Sequence, residues 1–411
     1  MKIELVRKLD YWLGVPLCFF GTVLKKLGGI FASGRIPERP TNILLIELSE
    51  MGSVILADPA MLKLKKTLNA NLHFAIFEKN RASLEFLNTI PQDNIFLMGD
   101  SGVPGVAWGA LRFFFWSRSK GIDTVIDMEL FSRFTALLTG FSGAGRTVGF
   151  HGFFNEGLYR GNFLTHKVAY NPHLHIAKNF IAMVNALLAD KSETPYSKCA
   201  VMDEEIMLRT VGVSDEARQA MFRKIEAACP GFSAERQRII LFNTNSSDLM
   251  PLRRWPQDNY VKLARMILMN YPDTVVLLTG SPEERAAKEP IITAVGSERC
   301  VNFAGETSIT ELVALYTVSL FMLTNDSGPA HFASVTEMPV FVFFGPETPA
   351  IYGPLGRMTP LYAGLACSPC VSAMNHRKSP CSDNVCLQAI SLEQVFETIR
   401  PQLDQSRHPL R

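Results

Sequence analysis

The sequence predicts an α/β protein made of two Rossmann-like domains with a central cleft. Three observations carry that expectation. Short apolar runs at 42–48, 72–77 and 124–127 alternate with helix-length stretches, the pattern of βαβ units on a parallel sheet. The alternation restarts abruptly at Arg238-Ile-Ile-Leu-Phe-Asn243 after a polar interval. A chain of 411 residues is also large for one core, so two domains of roughly 150–200 residues are expected.

Composition narrows the class. Hydrophobic content of 47% with 19% charged residues describes a globular chain. Forty-one basic against 39 acidic residues leave a net charge of +2. With no long basic run and no aromatic stacking platform, no nucleic-acid partner is expected. No stretch of about 20 uninterrupted apolar residues is present, so a spanning helix is not expected either.

Residues 1–40 form a basic, aromatic extension. Lys2, Arg7, Lys8, Lys25, Lys26, Arg35 and Arg39 stand against Glu4, Asp10 and Glu38. The run from Tyr11 to Leu24 between them is too short to span and lacks a cleavage signature. It suits an interfacial anchor on an anionic leaflet. The alternative is a terminal helix packed on the core and broken at Pro16.

Residues 41–190 read as the first domain. The strand 42–48 leads into a Met51-Gly52-Ser53 turn, then a helix from Val54 to Ala70 that must absorb Pro59. Further strands follow at 72–77 and 124–127. The polar stretch 191–236 reads as a connection. Residues 237–390 form the second domain, with strands at 238–243, 274–279 and 300–303 and helices around 259–270 and 309–317. An amphipathic helix around 392–403 and a tail complete 391–411.

The densest signal lies at 319–346. A buried strand ends in Asp326-Ser327-Gly328, a helix opens at Pro329 and carries His331, and a second strand ends in Gly345-Pro346. Proline suits a first helical turn, and Asp326 or Ser327 can cap its amides. Free amides and the carboxyl edge of a parallel sheet favour an anion, so a phosphate-bearing ligand is expected there. Read blandly, Asp326 is only a cap in an ordinary turn.

Four ordered segments resemble glycosyltransferase family 9, the ADP-heptose:lipopolysaccharide heptosyltransferase family. They are Ile43-Leu-Leu-Ile-Glu-Leu-Ser-Glu-Met-Gly-Ser53 with Asp58-Pro59-Ala60; Asn243-Thr-Asn-Ser-Ser247 with Arg253-Arg-Trp-Pro256; Phe303-Ala-Gly-Glu-Thr-Ser308 with Glu311-Leu312; and Asn325-Asp-Ser-Gly-Pro-Ala-His331 with Phe344-Gly-Pro346. The resemblance implies the GT-B fold, with an acceptor-side N-terminal domain and a nucleotide-sugar-side C-terminal domain. It also implies inverting transfer from an ADP-sugar to a lipid-linked saccharide on the cytoplasmic face of the inner membrane. Neither a cofactor nor a divalent metal is expected.

Without a metal, the leaving diphosphate must be met by amides and a cation. Asn243, Thr244, Arg253, Asp326, Ser327, Gly328 and His331 are the expected donor-side residues. Arg253 falls where the family places a Lys before Trp-Pro, a change that keeps charge and alters geometry. On the acceptor side, Met51, Gly52, Ser53 and Asp127 are expected, with Glu129, Arg146 and His151 as further contacts. Ser53 stands where the family has an Asp that acts as general base, and serine has no useful basicity near neutral pH. Glu50 is the first candidate base and Asp58 the second, with Glu47 behind them.

Cys367, Cys370, Cys381 and Cys386, with His376 nearby, have a spacing that resembles a structural zinc site. The competing reading is a packed, reduced loop. Two functional alternatives also stand beside heptosyl transfer. One is the same fold using another nucleotide sugar, and the other is a membrane-associated nucleotide-sugar-binding protein without catalysis.

Overall fold

The computed structural model describes residues 3–29, 38–99, 102–246, 250–375 and 377–405. Lys2, Arg35, Ser247 and His376, named above, lie outside them. The chain divides into two compact units, Met1–Met207 and Leu208–Arg411.

The first unit opens with α1 (Ile3–Trp12) and α2 (Gly14–Gly29). There follow β1 (Asn42–Ile46), α3 (Met51–Leu68), β2 (Asn71–Phe77), α4 (Ala82–Leu87) and β3 (Ile95–Met98). Next come α5 (Gly102–Ser119), β4 (Thr124–Asp127), α6 (Arg133–Phe141), β5 (Arg146–Phe150), β6 (His166–Val168) and α7 (Ile176–Leu187). The strands form one parallel sheet in the order β3-β2-β1-β4-β5-β6.

The second unit begins with α8 (Asp215–Ala228), β7 (Arg238–Asn243), α9 (Gln257–Asn270), β8 (Thr274–Leu278), α10 (Arg285–Val295) and β9 (Cys300–Asn302). It continues with α11 (Leu312–Thr317), β10 (Phe321–Asn325), α12 (Gly328–Ala333), β11 (Val340–Phe344), α13 (Pro349–Tyr352) and β12 (Met358–Tyr362). The short α14 (Val385–Gln388) and α15 (Leu392–Leu403) end it. Its sheet is also parallel, in the order β12-β11-β10-β7-β8-β9. Counted from each unit's first strand, both orders are 3-2-1-4-5-6, the doubly wound arrangement. Right-handed crossovers put helices on both faces of each sheet, which is why β1, β4, β7, β8, β10 and β11 are almost wholly buried apolar runs.

Several elements differ from the sequence expectation. The helix expected from Val54 starts at Met51, so Met51-Gly52-Ser53 is its first turn. Glu50 takes the N-cap position in extended conformation, and Asn69, in the left-handed region, closes the other end by donating its N–H to the Lys65 carbonyl. The polar stretch read as a connection contains the unit boundary and the 14-residue helix α8, whose N-cap Ser214 accepts from the Ala217 N–H. The sequence reading assigns nothing to α5.

The N-terminal extension folds as two helices separated at Leu13, with Pro16 inside the first turn of α2. The Asp10 carboxylate accepts from the backbone N–H groups of Arg133 and Phe134 at 3.0 and 3.1 Å, capping α6 from another helix. Lys25 Nζ donates to the Phe163 carbonyl at 3.0 Å, and the Thr22 hydroxyl accepts from the Asn162 N–H at 2.9 Å. The extension is therefore docked on the first unit. Among the described residues, no helix is long and apolar enough to cross a membrane.

Candidate functional site

Open parallel sheets bind ligands outside the carboxyl ends of their strands, where the strand order reverses. In the first unit that point lies between β1 and β4, and in the second between β7 and β10. Most of the sequence-expected residues lie near these two places, while Arg146, at the amino end of β5, does not.

In the second unit, Asn325 at the end of β10 organises the chain around it. Its Oδ1 accepts from the Trp255 N–H at 2.9 Å and the Tyr260 hydroxyl at 3.3 Å, while its Nδ2 donates to the Thr244 carbonyl at 2.9 Å. Trp255 is buried, stacks on Phe343 at 4.5 Å between centroids, and donates its indole N–H to the Ile390 carbonyl. These bonds fix the single 3-10 turn Pro251–Arg253 that presents Arg253.

Arg253 bridges two carboxylates. Its Nε lies 3.4 Å from Asp326 Oδ2, and its Nη2 donates to Glu347 Oε1 at 3.0 Å. Arg377 Nε approaches the same Glu347 oxygen at 3.5 Å. Burial pushes the Asp326 carboxyl up, against the pull of Arg253. Burial also pushes Glu347 up to about 7, with Arg253 opposing and Asp326 adding to the rise. The arrangement is a cation held in a fixed orientation by two acids at a strand-end crevice.

Other donor-side expectations change in detail. Neither Asp326 nor Ser327 caps α12: no side-chain cap bond is made, Asp326 is drawn to Arg253, and the Ser327 hydroxyl donates to the Asn325 carbonyl at 3.1 Å. With only six residues, α12 has a short dipole, so Arg253 is the main positive charge here. Asn243 Nδ2 contacts Thr279 at 3.4 Å, and Thr244 is buried. His331 is buried within α12, and Gly328 has no positive φ, and a Cβ there would make only an ordinary contact with the Phe332 ring at 3.7 Å. Gly305, by contrast, needs to be glycine: its φ is +80° and a Cβ would meet Pro282 Cα at 3.0 Å. Glu311, from the third motif, completes a capping box with Ser308.

In the first unit, the turn after β1 is clamped from β4. Glu129 Oε1 accepts from the Leu48 and Ser49 N–H groups, both at 2.9 Å, and from the Ser49 hydroxyl at 2.6 Å. Asn80 Nδ2 donates to the Leu48 carbonyl at 2.8 Å. Glu50 follows immediately, half-buried, and its Oε2 accepts from the Ser53 hydroxyl at 3.2 Å. Ser53 thus serves the neighbouring carboxylate, while Met51 and Gly52 supply the half-buried first turn of α3.

Two acceptor-side expectations are corrected by burial. Asp127 is fully buried in an ion pair with Arg160 and also accepts from the Thr135 hydroxyl at 3.2 Å and the Glu129 N–H at 3.3 Å. Glu129 spends one oxygen on the β1 turn rather than facing outward, and burial pushes both carboxyls up. They position the site instead of lining it. Asp58 is buried and accepts from the Thr89 hydroxyl, and Glu47 is buried just after β1. Arg146 donates to the Glu38 carbonyl, and burial lowers the His151 pKa, with Lys167 and Arg160 contributing.

Sequence reasoning missed Glu347, Arg160, Arg377 and Lys288. Glu347 was within reach, because it follows the Gly345-Pro346 end of β11 beside β10. Arg160 and Arg377 come from loops without a motif. Lys288 is buried on α10 with Nζ 3.8 Å from Glu284 Oε2, and burial lowers its pKa.

The eight cysteines are free thiols, and no group of three or more His, Cys, Asp or Glu among the described residues could hold a metal ion. Cys370 Sγ accepts from the Ser379 hydroxyl at 3.2 Å, and Cys381 Sγ contacts Asp383 at 3.3 Å. Cys386 is buried beneath Gly345, where a Cβ would come within 2.7 Å of its sulfur.

Each doubly wound unit thus carries charged side chains at its own switch point, carboxylates in the first and a held arginine in the second. The sequence matches the family model described as glycosyltransferase family 9 (heptosyltransferase) over residues 117–379, and the chain belongs to that family. The Glu50 turn lies before that match. Lipopolysaccharide heptosyltransferase 2 of Salmonella typhimurium is 34% identical over 132 residues, 31% of this chain and 37% of that protein. The match thus spans little more than a third of that relative's length. The solved E. coli ADP-heptose lps heptosyltransferase II aligns with TM-score 0.66 and 20% identity, covering 88% of this chain and 98% of its own. The E. coli heptosyltransferase WaaC with ADP aligns with TM-score 0.60 and 14% identity, covering 88% and 100%. These structural likenesses speak for the shared two-domain GT-B fold.

Proposed function

We propose that the chain is an inverting, metal-independent glycosyltransferase that moves a heptose-like sugar from an ADP-sugar to a lipopolysaccharide-core or related envelope glycolipid acceptor. It works at the cytoplasmic face of the inner membrane. The observation that carries the proposal is Arg253, held by Asp326 and Glu347 at the carboxyl end of β10. Its remaining guanidinium nitrogen, with the amides of the Ser327-Gly328 turn, meets the charge that develops on the leaving diphosphate. Asn243 and Thr244, at the adjoining end of β7, complete the donor side. Glu50 accepts the proton of the attacking hydroxyl, with Ser53 orienting its carboxylate.

Family membership and relatives described as lipopolysaccharide heptosyltransferases support this reading, and ADP is the nucleotide described in one solved neighbour. Ser53, which here bonds Glu50, motivates a second reading in which the fold is kept and the nucleotide sugar differs. The test is titration calorimetry with ADP, UDP and GDP, with and without EDTA, followed by transfer from ADP-heptose to a heptose-deficient lipopolysaccharide. ADP binding and transfer that both survive EDTA are expected. Preference for UDP or GDP selects the second reading, and ADP binding without transfer to any envelope acceptor selects a non-catalytic binding protein.

A further inference from the structure

Two helices of the first unit turn large apolar side chains to the outside. The 16-residue α2 turns Gly14, Cys18 and Gly21 inward, and its large side chains outward. A Cβ on Gly21 would stand 3.0 Å from Phe163 and 3.2 Å from Phe141, so only a small residue fits the inner face. Phe20 is 61% exposed and Leu24 59%. The 18-residue α5 is apolar on both sides: it buries Gly109, where a Cβ would meet Met98 Sδ at 2.3 Å, together with Phe113 and Ser117. Its outward face carries Trp108 at 62% and Phe115 at 63% exposure, with Leu111 between them. A helix on a water-soluble surface normally does the reverse.

The two helices are joined through α6, on which both pack. Phe141, at the end of α6 and itself exposed, contacts the Gly21 position on one side, and its carbonyl accepts from Arg118 of α5 at 2.9 Å on the other. The charge carried by these three helices has one sign. None of α2, α5 and α6 contains an acidic residue, while Lys26 of α2 and Arg112 of α5 stand exposed. A groove of about 590 Å³ beside edge strand β3 opens next to Phe115 and is lined by Arg112 and Trp116.

We propose that the outward faces of α2 and α5, joined through Phe141, form one surface that seats in the interfacial layer of an anionic bilayer. Apolar side chains this exposed gain free energy only when something removes them from water, and the exposed cations Lys26 and Arg112 favour anionic headgroups. Neither helix is long and apolar enough to span, so the mode is interfacial. The inference deepens the glycolipid part of the proposed function, but it rests on these helices and not on the donor site.

The test uses the full chain and vesicles of phosphatidylglycerol or of phosphatidylcholine. Wild type should sediment with phosphatidylglycerol vesicles, much less with phosphatidylcholine, and less again at high salt. Trp108→Gln/Phe115→Gln and Phe20→Gln/Leu24→Gln should each lower partitioning about tenfold or more, with ADP binding unchanged. In a Trp12→Phe/Trp116→Phe/Trp255→Phe background, which leaves Trp108 as the sole tryptophan, the emission should shift to the blue on phosphatidylglycerol vesicles. Wild type that stays in the supernatant, or an α5 pair that partitions like wild type, overturns the proposal. So does a self-association lost in the same variants without vesicle binding, which would make a second copy the occupant. ADP binding, read separately, keeps any such failure distinct from failure of the transferase reading.

Discussion

The two switch points share a strand order and differ in what the chain does after the first and fourth strands. In the first unit, β1 runs through a turn held by Glu129 into the 18-residue α3, and the turn ends on the acceptor oxygens of Glu50. In the second, β10 runs into the six-residue α12, and the charge is supplied from elsewhere by Arg253. One scaffold therefore sets two positions, and the side chains give them opposite chemistry. Under the proposed function, the carboxylate stands beside the incoming hydroxyl and the arginine beside the leaving diphosphate, as transfer without a metal would require. Breaking each position by itself should damage a different kinetic quantity.

The largest loss is expected at Glu50. Glu50→Gln keeps shape and removes the proposed base, so kcat should fall by about 10²–10⁴ while ADP affinity holds. A variant with wild-type turnover would move the base elsewhere on the acceptor side. Arg253 should show the complementary pattern. Arg253→Ala removes the cation and leaves Asp326 and Glu347 facing each other, so ADP binding and turnover should both fall, turnover by about 10²–10³. Arg253→Lys retains charge, cannot bridge both acids with a planar fork, and should fall between the two. Equal loss in the Lys and Ala variants would mean that geometry, more than charge, is what the diphosphate senses.

Much of this comparison was legible beforehand because it is written in strand ends. Apolar runs closing in Asn243, Asn325 and Asp127 mark the carboxyl edges of parallel sheets, and there the expected residues lie. What could not be read is partnership across sequence. Asp326 looks like a helix cap until Arg253, 73 positions earlier, is seen beside it. Asp127 looks like a surface carboxylate until Arg160 covers it. The face of α5 was hidden for a related reason. A helix whose apolar residues point both inward and outward has a weak amphipathic period, so periodicity alone cannot tell it from a buried segment.

Buried carboxyls at both sites load the fold with pH, and Glu347 shows the sign. Glu347 has an ordinary value of 4.5 and a folded value of about 7, so the native state holds the proton more tightly than the unfolded chain. The unfolded state binds fewer protons between those values, and stability therefore declines as pH rises through that window. The full effect is on the order of 3 kcal/mol. Urea unfolding at about pH 5 and about pH 8 should show wild type losing ground relative to Glu347→Gln. A constant difference at both pH values would mean that Arg253 and Arg377 keep Glu347 ionised throughout.

The smallest effect belongs to Ser53 and bears most directly on the acceptor side. Its hydroxyl donates to Glu50 Oε2 at 3.2 Å from one turn into α3, a charge-assisted bond at a partly buried position. Removing it in Ser53→Ala should cost about 1 kcal/mol of orientation, near fivefold in kcat, with the affinity for ADP unchanged. Ser53→Thr restores the hydroxyl and should recover most of the loss. A structural role alone would lower the melting temperature in the Ala variant without this split between kcat and ADP affinity. A larger loss in Ser53→Ala than in Glu50→Gln would reverse the assignment, making the hydroxyl the group that contacts the acceptor and the carboxylate its support.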